Sequence, residues 1–132
     1  MSARAEQAEQ FFREGYNCAQ AVAAAFDDVT GYDRETLLKA SCAFGGGFAG
    51  SRNICGAVSA MGIVTGLAKA DGSPAAKRAV YPLVQDLNAR FASQLGSIVC
   101  ADLLANAAPH GKRCADCVRL AAQLLEETLC AE

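Results

Sequence analysis

The chain has 132 residues, enough for one domain that removes roughly two-thirds of its unfolded surface from water. Hydrophobic residues make up 52% and charged residues 20%, so a core can form without covalent staples, and a net charge of −2 offers no electrostatic footprint for nucleic acid or an anionic membrane. The segment Met1 to Gln7 lacks the apolar run of a signal peptide, and the longest apolar stretch, Ile54 to Ala68, is about 15 residues and too short to span a bilayer. The expectation is a cytoplasmic protein with neither nucleic-acid nor membrane partners.

Helical patterning runs nearly throughout, with no strand pattern, internal repeat or low-complexity segment. The expected fold class is therefore all-α, a single-domain helical bundle over residues 1–132. Ala3–Glu14 reads as a short amphipathic helix with Ala8, Phe11 and Phe12 on its apolar side, a surface that suggests a homodimer. Gly15 ends it. Asn17 caps a second helix from Cys18 to about Asp27, with Gln20 at the capping-box position. Asp33 caps a third, Arg34 to Phe44, which stops at Gly45-Gly46-Gly47, and an irregular loop continues to Asn53.

The fourth helix, Ile54 to about Lys69, is apolar on all sides and rich in Gly and Ala. That is the pattern of a buried central helix whose small residues let neighbours approach closely. Asp71-Gly72-Ser73-Pro74 is a turn with a Ser cap and a Pro in the first helical turn. A long fifth helix to about Gln94 follows, with Pro82 expected to kink or break it near Val80. Gly96-Ser97 restarts the chain as a short helix holding Cys100, Leu103 and Leu104. Asn106–Lys112 reads as a loop, and the last helix runs from about Arg113 to Leu129.

The seven cysteines carry the chemistry. An odd number excludes complete pairing within the chain, and a share of roughly 5% lies below the ~8–10% of disulfide scaffolds. In a reducing compartment such cysteines point to metal or redox chemistry. Cys18, Cys55, Cys100 and Cys114 each fall at the start of an expected helix. The unpaired N–H groups and positive end of the dipole there favour thiolate, the form that attacks, oxidises or binds metal, by about 0.3–1 kcal/mol. The plainer reading is four buried, inert thiols, since free Cys is among the most buried residue types.

Cys114-Ala115-Asp116-Cys117 is a C-x-x-C at a helix start. No strand precedes it as in thioredoxin-like proteins, and no second close pair completes a zinc site. Gly45, Gly46 and Gly47 could bring backbone N–H groups up to a cofactor, or they could simply end a helix and turn the chain. The Lys-Ser/Thr of a phosphate loop is missing. His110, in the Pro109–Gly111 loop, reads as a surface residue. Cys42 reads as a packing residue of the third helix, and Cys130 as a frayed, exposed thiol.

Several segments together resemble the C_GCAxxG_C_C family of putative redox-active proteins. They are Gly15-Tyr16-Asn17-Cys18-Ala19-Gln20-Ala21-Val22, then Phe44-Gly45-Gly46-Gly47 leading to Cys55-Gly56-Ala57-Val58, then Phe91 through Gly96-Ser97 to Cys100. Cys114 followed by Val118, Ala121, Ala122 and Leu124 completes the set, over roughly residues 10–128. A related domain occurs in split-Soret cytochromes, where iron–sulfur binding has been attributed to its cysteines.

The resemblance implies a redox role, electron transfer to an unknown partner protein, and a site at Cys18, Cys55, Cys100 and Cys114. Those four would either ligate an iron–sulfur cluster or cycle between dithiol and disulfide, the most exposed low-pKa thiol attacking. Two departures stand out. Ile54 replaces a glycine of the family pattern, and Ala60 stands where another glycine is expected. Cys117 is an extra thiol that competes with Cys114 as the fourth ligand. A structural zinc module held by four cysteines, without redox activity, is the alternative.

Overall fold

The Ser2 hydroxyl accepts a hydrogen bond from the Ala5 N–H and so caps α1 (Ala3–Arg13). From that cap on, the computed structural model describes residues 2–105 and 112–130, the side chains of 112 and 113 excepted. The chain continues through α2 (Cys18–Ala24), α3 (Asp27–Thr30), α4 (Arg34–Ser41), a 3-10 turn (Cys42–Phe44) and α5 (Gly45–Phe48). After a loop come α6 (Gly56–Lys69), a second 3-10 turn (Pro74–Ala76), α7 (Lys77–Leu95), α8 (Cys100–Ala105) and α9 (Lys112–Leu129). The fold is all-α. Among the described residues the sole extended pairing is an isolated bridge between Ile54 and Val99.

The core is built around α2. Ala19 and Ala21 through Ala24 are all buried, and this short Ala-rich helix packs against α1, α4, α6 and α9. Its small side chains leave the volume between helices to larger residues. Phe26, Leu37, Met61, Leu87, Phe91, Leu124 and Leu125 are the largest buried side chains there, each contributing about 1.5–3 kcal/mol by leaving water. In α9, Cys117, Val118, Ala121, Ala122, Leu124 and Leu125 recur at helical spacing and form its inward face.

Where the elements depart from the sequence reading, local packing is the reason. The second helix ends at Ala24 rather than near Asp27. Phe26 turns fully into the core beneath the Arg4 guanidinium, which lies 5.0 Å from its ring centroid, and α3 forms beyond it until Gly31 (φ 78°) stops it.

α6 is not buried on every side. Ala57, Val58, Ala60, Met61, Val64 and Thr65 face inward, while Ser59, Gly62, Ile63 and Gly66 are half-buried. Gly62 and Gly66 have nothing near where a Cβ would sit, so close approach is required only at Gly56.

α7 runs unbroken through Pro82. Pro82 and Arg78 are both exposed, so the carbonyl that loses its helical partner faces water. The expected loop at 106–112 and His110 lie essentially outside the described residues.

Candidate functional site

Four separate segments deliver cysteines to one cavity, and each is fixed by its backbone. Cys18 is the first residue of α2. The Asn17 side chain accepts from the Gln20 N–H (2.9 Å) and the Gln20 side chain accepts from the Asn17 N–H (3.2 Å), a complete capping box. The same two side chains reach across to the end of α4. Asn17 Nδ2 donates to the Cys42 carbonyl (2.9 Å) and Gln20 Nε2 to the Leu38 carbonyl (3.0 Å). Gly45 lies directly against this cap, where a Cβ would come within 2.5 Å of Asn17 Cγ.

Cys55 is the N-cap residue of α6, and its N–H donates to the Ile98 carbonyl (2.8 Å). Cys100 opens α8, and its N–H donates to the Asn53 carbonyl (2.6 Å). Cys114 lies in the first turn of α9, and Cys117 follows one turn on.

The segment from the short α5 turn into the loop before α6 takes its shape from a run of left-handed residues. Gly46 and Gly47 have φ of 65° and 70°, and Phe48 (76°), Ala49 (53°) and Arg52 (60°) share that region without being glycine. Such conformations cost on the order of 1–3 kcal/mol each for residues bearing a Cβ, and they persist only where the surroundings impose them. Here they are held by backbone bonds from the Arg52 N–H to Gly46 and from the Asn53 N–H to Gly47 (3.0 and 2.9 Å). At Gly47 a Cβ would lie 2.7 Å from Cys100 Cβ, and at Gly56 it would lie 2.5 Å from Cys18 Sγ.

These constraints enclose a cavity of about 50 Å³ lined by Cys18, Cys55, Cys100, Cys114 and Cys117. Gly46, Arg52 and Gly56 complete one wall, and Leu103 and Leu104 the other. The structure thus brings together the four cysteines expected from the sequence, together with the competitor Cys117. Of the three glycines considered for cofactor binding, only Gly46 lines the cavity. Gly47 acts one layer behind, against Cys100, and Gly45 packs on the Asn17 cap.

The electrostatics reverse one expectation. Cys18, Cys55 and Cys117 share the cavity lining and act on one another's titration. The bond with Cys117, helped by burial, pushes the Cys55 thiol up to about 12, against a smaller opposite effect from Cys18. Cys18 is raised well above the ordinary thiol range by its bond with Cys55 and then by burial. The N–H groups of Gly46 and Ala19 pull the other way without prevailing. Burial raises Cys114 as well, reinforced by Cys18 and Cys100 and opposed by Arg52. α2 starts at Cys18 as expected, whereas α6 starts at Gly56 with Cys55 as its cap, α8 at Cys100 rather than near Ser97, and α9 at Lys112. Desolvation and neighbouring sulfurs outweigh the helix dipole, so Cys18, Cys55 and Cys114 are held as neutral thiols.

Two further cysteines differ from expectation. Cys42 is exposed, because the tightening of α4 into a 3-10 turn carries it off the packed face. Cys130 is half-buried and packs against the core instead of fraying.

The residue missed from sequence is Arg52, whose Nη1 donates to Cys100 Sγ (3.7 Å) at the cavity wall. Its signal was available: it is the one charged residue between Lys39 and Lys69. Among the described residues, no group of three or more His, Cys, Asp or Glu side chains is arranged to hold a single metal ion.

No curated protein and no solved structure matches this chain. A family model does, that of the "Putative redox-active protein (C_GCAxxG_C_C)", over residues 16–128, a span that begins just before the Cys18 cap and closes near the end of α9. On a match that covers most of its length and all five cavity cysteines, the chain belongs to the C_GCAxxG_C_C family of putative redox-active proteins.

Proposed function

We propose that the thiol chamber is an electron-transfer site that holds an iron–sulfur cluster. Cys18, Cys55, Cys100 and Cys114 would be its ligands, with Cys117 competing for the last position. The observation that carries this reading is the convergence of five sulfurs from four chain segments on one cavity.

The donor set suits the group. Four thiolates are what a [2Fe–2S] or [4Fe–4S] cluster requires, and glycine at 56 leaves backbone against the cavity where a Cβ would press on Cys18 Sγ at 2.5 Å. A bound cluster would supply one-electron chemistry. The chain's own residues do the rest. Leu103 and Leu104 exclude water from one side, while the Gly46 and Ala19 N–H groups and the Arg52 guanidinium offset negative charge on sulfur. Because Cys18, Cys55 and Cys114 are held protonated, ligation must release their protons.

A second reading, dithiol–disulfide cycling, is favoured by the shared placement of Cys18, Cys55 and Cys117 on one cavity. There, two thiols would join as a disulfide while the two electrons and two protons reduce a disulfide on a partner protein.

Anaerobic purification followed by absorption spectroscopy and analysis for iron, labile sulfide and zinc tests both. Visible absorption with iron and sulfide supports the cluster. Colourless, metal-free protein that forms a Cys55 disulfide reversibly supports the dithiol cycle. Colourless protein with one zinc per chain overturns both in favour of a structural zinc module. Iron content of Cys114→Ser and Cys117→Ser then assigns the fourth ligand.

A further inference from the structure

Arg52 is an arginine in a backbone conformation that ordinarily belongs to glycine, and its side chain turns toward the chamber. Its φ is 60°. Both of its peptide groups are clamped: its N–H donates to the Gly46 carbonyl (3.0 Å) and its carbonyl accepts from the Ala101 N–H (3.2 Å). The next residue repeats the pattern, the Asn53 N–H reaching Gly47 and the Asn53 carbonyl accepting from the Cys100 N–H at 2.6 Å. Residues 52–53 are therefore sandwiched between the glycine loop and the start of α8. That sandwich fixes the distance from the Arg52 Cα to Cys100, and the guanidinium spans it to reach Cys100 Sγ.

Among the described residues, no carboxylate forms an ion pair with Arg52, which shares this with the exposed Arg78, whereas Arg4, Arg13, Arg34, Arg90 and Arg119 each have one. Its one described side-chain partner is sulfur. A glycine would relieve the backbone, so strain is tolerated at a position whose side chain meets a cysteine.

We infer that Arg52 is a positioning residue that holds the Cys100 sulfur at the chamber wall and, through its charge, favours the reduced state of the redox site. This rests on the redox reading above. One-electron reduction of a bound cluster would add negative charge, and a fixed cation beside it would lower the free energy of the reduced form more than that of the oxidised form, whereas a disulfide reduced to two neutral thiols gains no charge. Arg52 thereby raises the midpoint potential. Its residue is exposed overall, so solvent screening reduces the effect below that of a buried pair.

The test compares the midpoint potential of the full-length protein with those of Arg52→Lys, Arg52→Gln and Arg52→Gly. Dye-mediated spectroelectrochemistry of the iron-bound protein reads the potential, and protein that binds no iron overturns the inference, because its thiols gain no charge on reduction. Arg52→Gln is expected to lower the reduced-to-oxidised ratio at fixed ambient potential by roughly three- to tenfold. That corresponds to about 28–59 mV downward for a one-electron couple. Arg52→Lys should recover most of the loss. Raising the salt concentration should shift the wild type downward and leave Arg52→Gln nearly still.

Arg52→Gly separates charge from structure. It should show the same lowered potential together with a thermal midpoint equal to or above the wild type. A potential unchanged in Arg52→Gln and Arg52→Gly overturns the inference while leaving the redox site standing. Absence of any reversible couple in the wild type overturns the redox reading and the inference with it.

Discussion

Gly56→Ala and Gly62→Ala change the same helix in the same way and should move stability in opposite directions. A Cβ on Gly56 would meet Cys18 Sγ at 2.5 Å, the Phe44 carbonyl oxygen at 2.8 Å and the Ala19 backbone N at 3.3 Å. Two of those three atoms are main chain, so the strain cannot be relieved by swinging a side chain; α2 and α6 must separate. Overpacking of this kind costs about 1–3 kcal/mol, with rigid neighbours placing it in the upper part of that range. Ala returns at most about 1 kcal/mol as the better helix former. The net loss is about 1–2 kcal/mol, or a fall of about 3–10 °C in Tm for a domain of this length.

Gly62 has nothing within 4 Å of the added methyl. Only the propensity gain remains there, so Gly62→Ala should be stabilised by up to about 1 kcal/mol. Urea unfolding of the reduced proteins, followed by far-ultraviolet circular dichroism, measures both. Gly56→Ala as stable as the wild type, or Gly62→Ala less stable, would show that α2 and α6 do not meet as described.

Three further outcomes are expected. The reduced, metal-free protein should lose stability in alkali. The folded state keeps Cys18 and Cys55 protonated well above the ~8.5 at which an unfolded thiol titrates, Cys55 up to about 12. The stabilisation is therefore whole below about pH 8.5 and declines as pH rises toward the folded values, by up to about 1.4 kcal/mol per pH unit for each thiol. Urea midpoints between pH 7 and 10 should show this decline, flattened in Cys55→Ser; an identical slope in that variant would contradict it. Asn17→Ala should cost about 1–2 kcal/mol in the same assay, since it removes the α2 cap and the bond to the Cys42 carbonyl, while Asn17→Ser keeps the cap and recovers about half. Cys117→Ala, in the buried row of α9, should lose about 1 kcal/mol, whereas Cys114→Ala, at the half-buried edge, should stay within about 0.5 kcal/mol of wild type.

Much of the helical frame was legible because local chemistry announces it. Asn17-x-x-Gln20 and Asp33 mark helix starts through side chains that satisfy N–H groups three residues on, and both caps form as written. Gly96, with φ of 94°, ends α7 by a conformation that suits glycine. What could not be read was decided by partners distant in sequence. The end of α2 depends on Phe26 meeting Arg4, and the half-open face of α6 depends on which neighbours reach Gly62 and Gly66. Pro82 misled because its cost depends on exposure: a carbonyl freed toward water loses far less than one freed toward a core.

The site was legible in membership and not in electrostatics, and the magnitudes explain why. A helix N-terminus favours a thiolate by about 0.3–1 kcal/mol, half a pKa unit or so, and that bias can be read from a cap in the sequence. Burial and a neighbouring sulfur are larger and arise only when four segments meet, which is how Cys55 reaches about 12 despite its place at the start of α6. A chamber of this kind makes poor isolated nucleophiles. On the proposed reading its thiols would give up their protons together to a bound cluster. The negative charge that then develops needs compensation already in place. The Gly46 and Ala19 N–H groups and the clamped Arg52 stand at the wall where it would form.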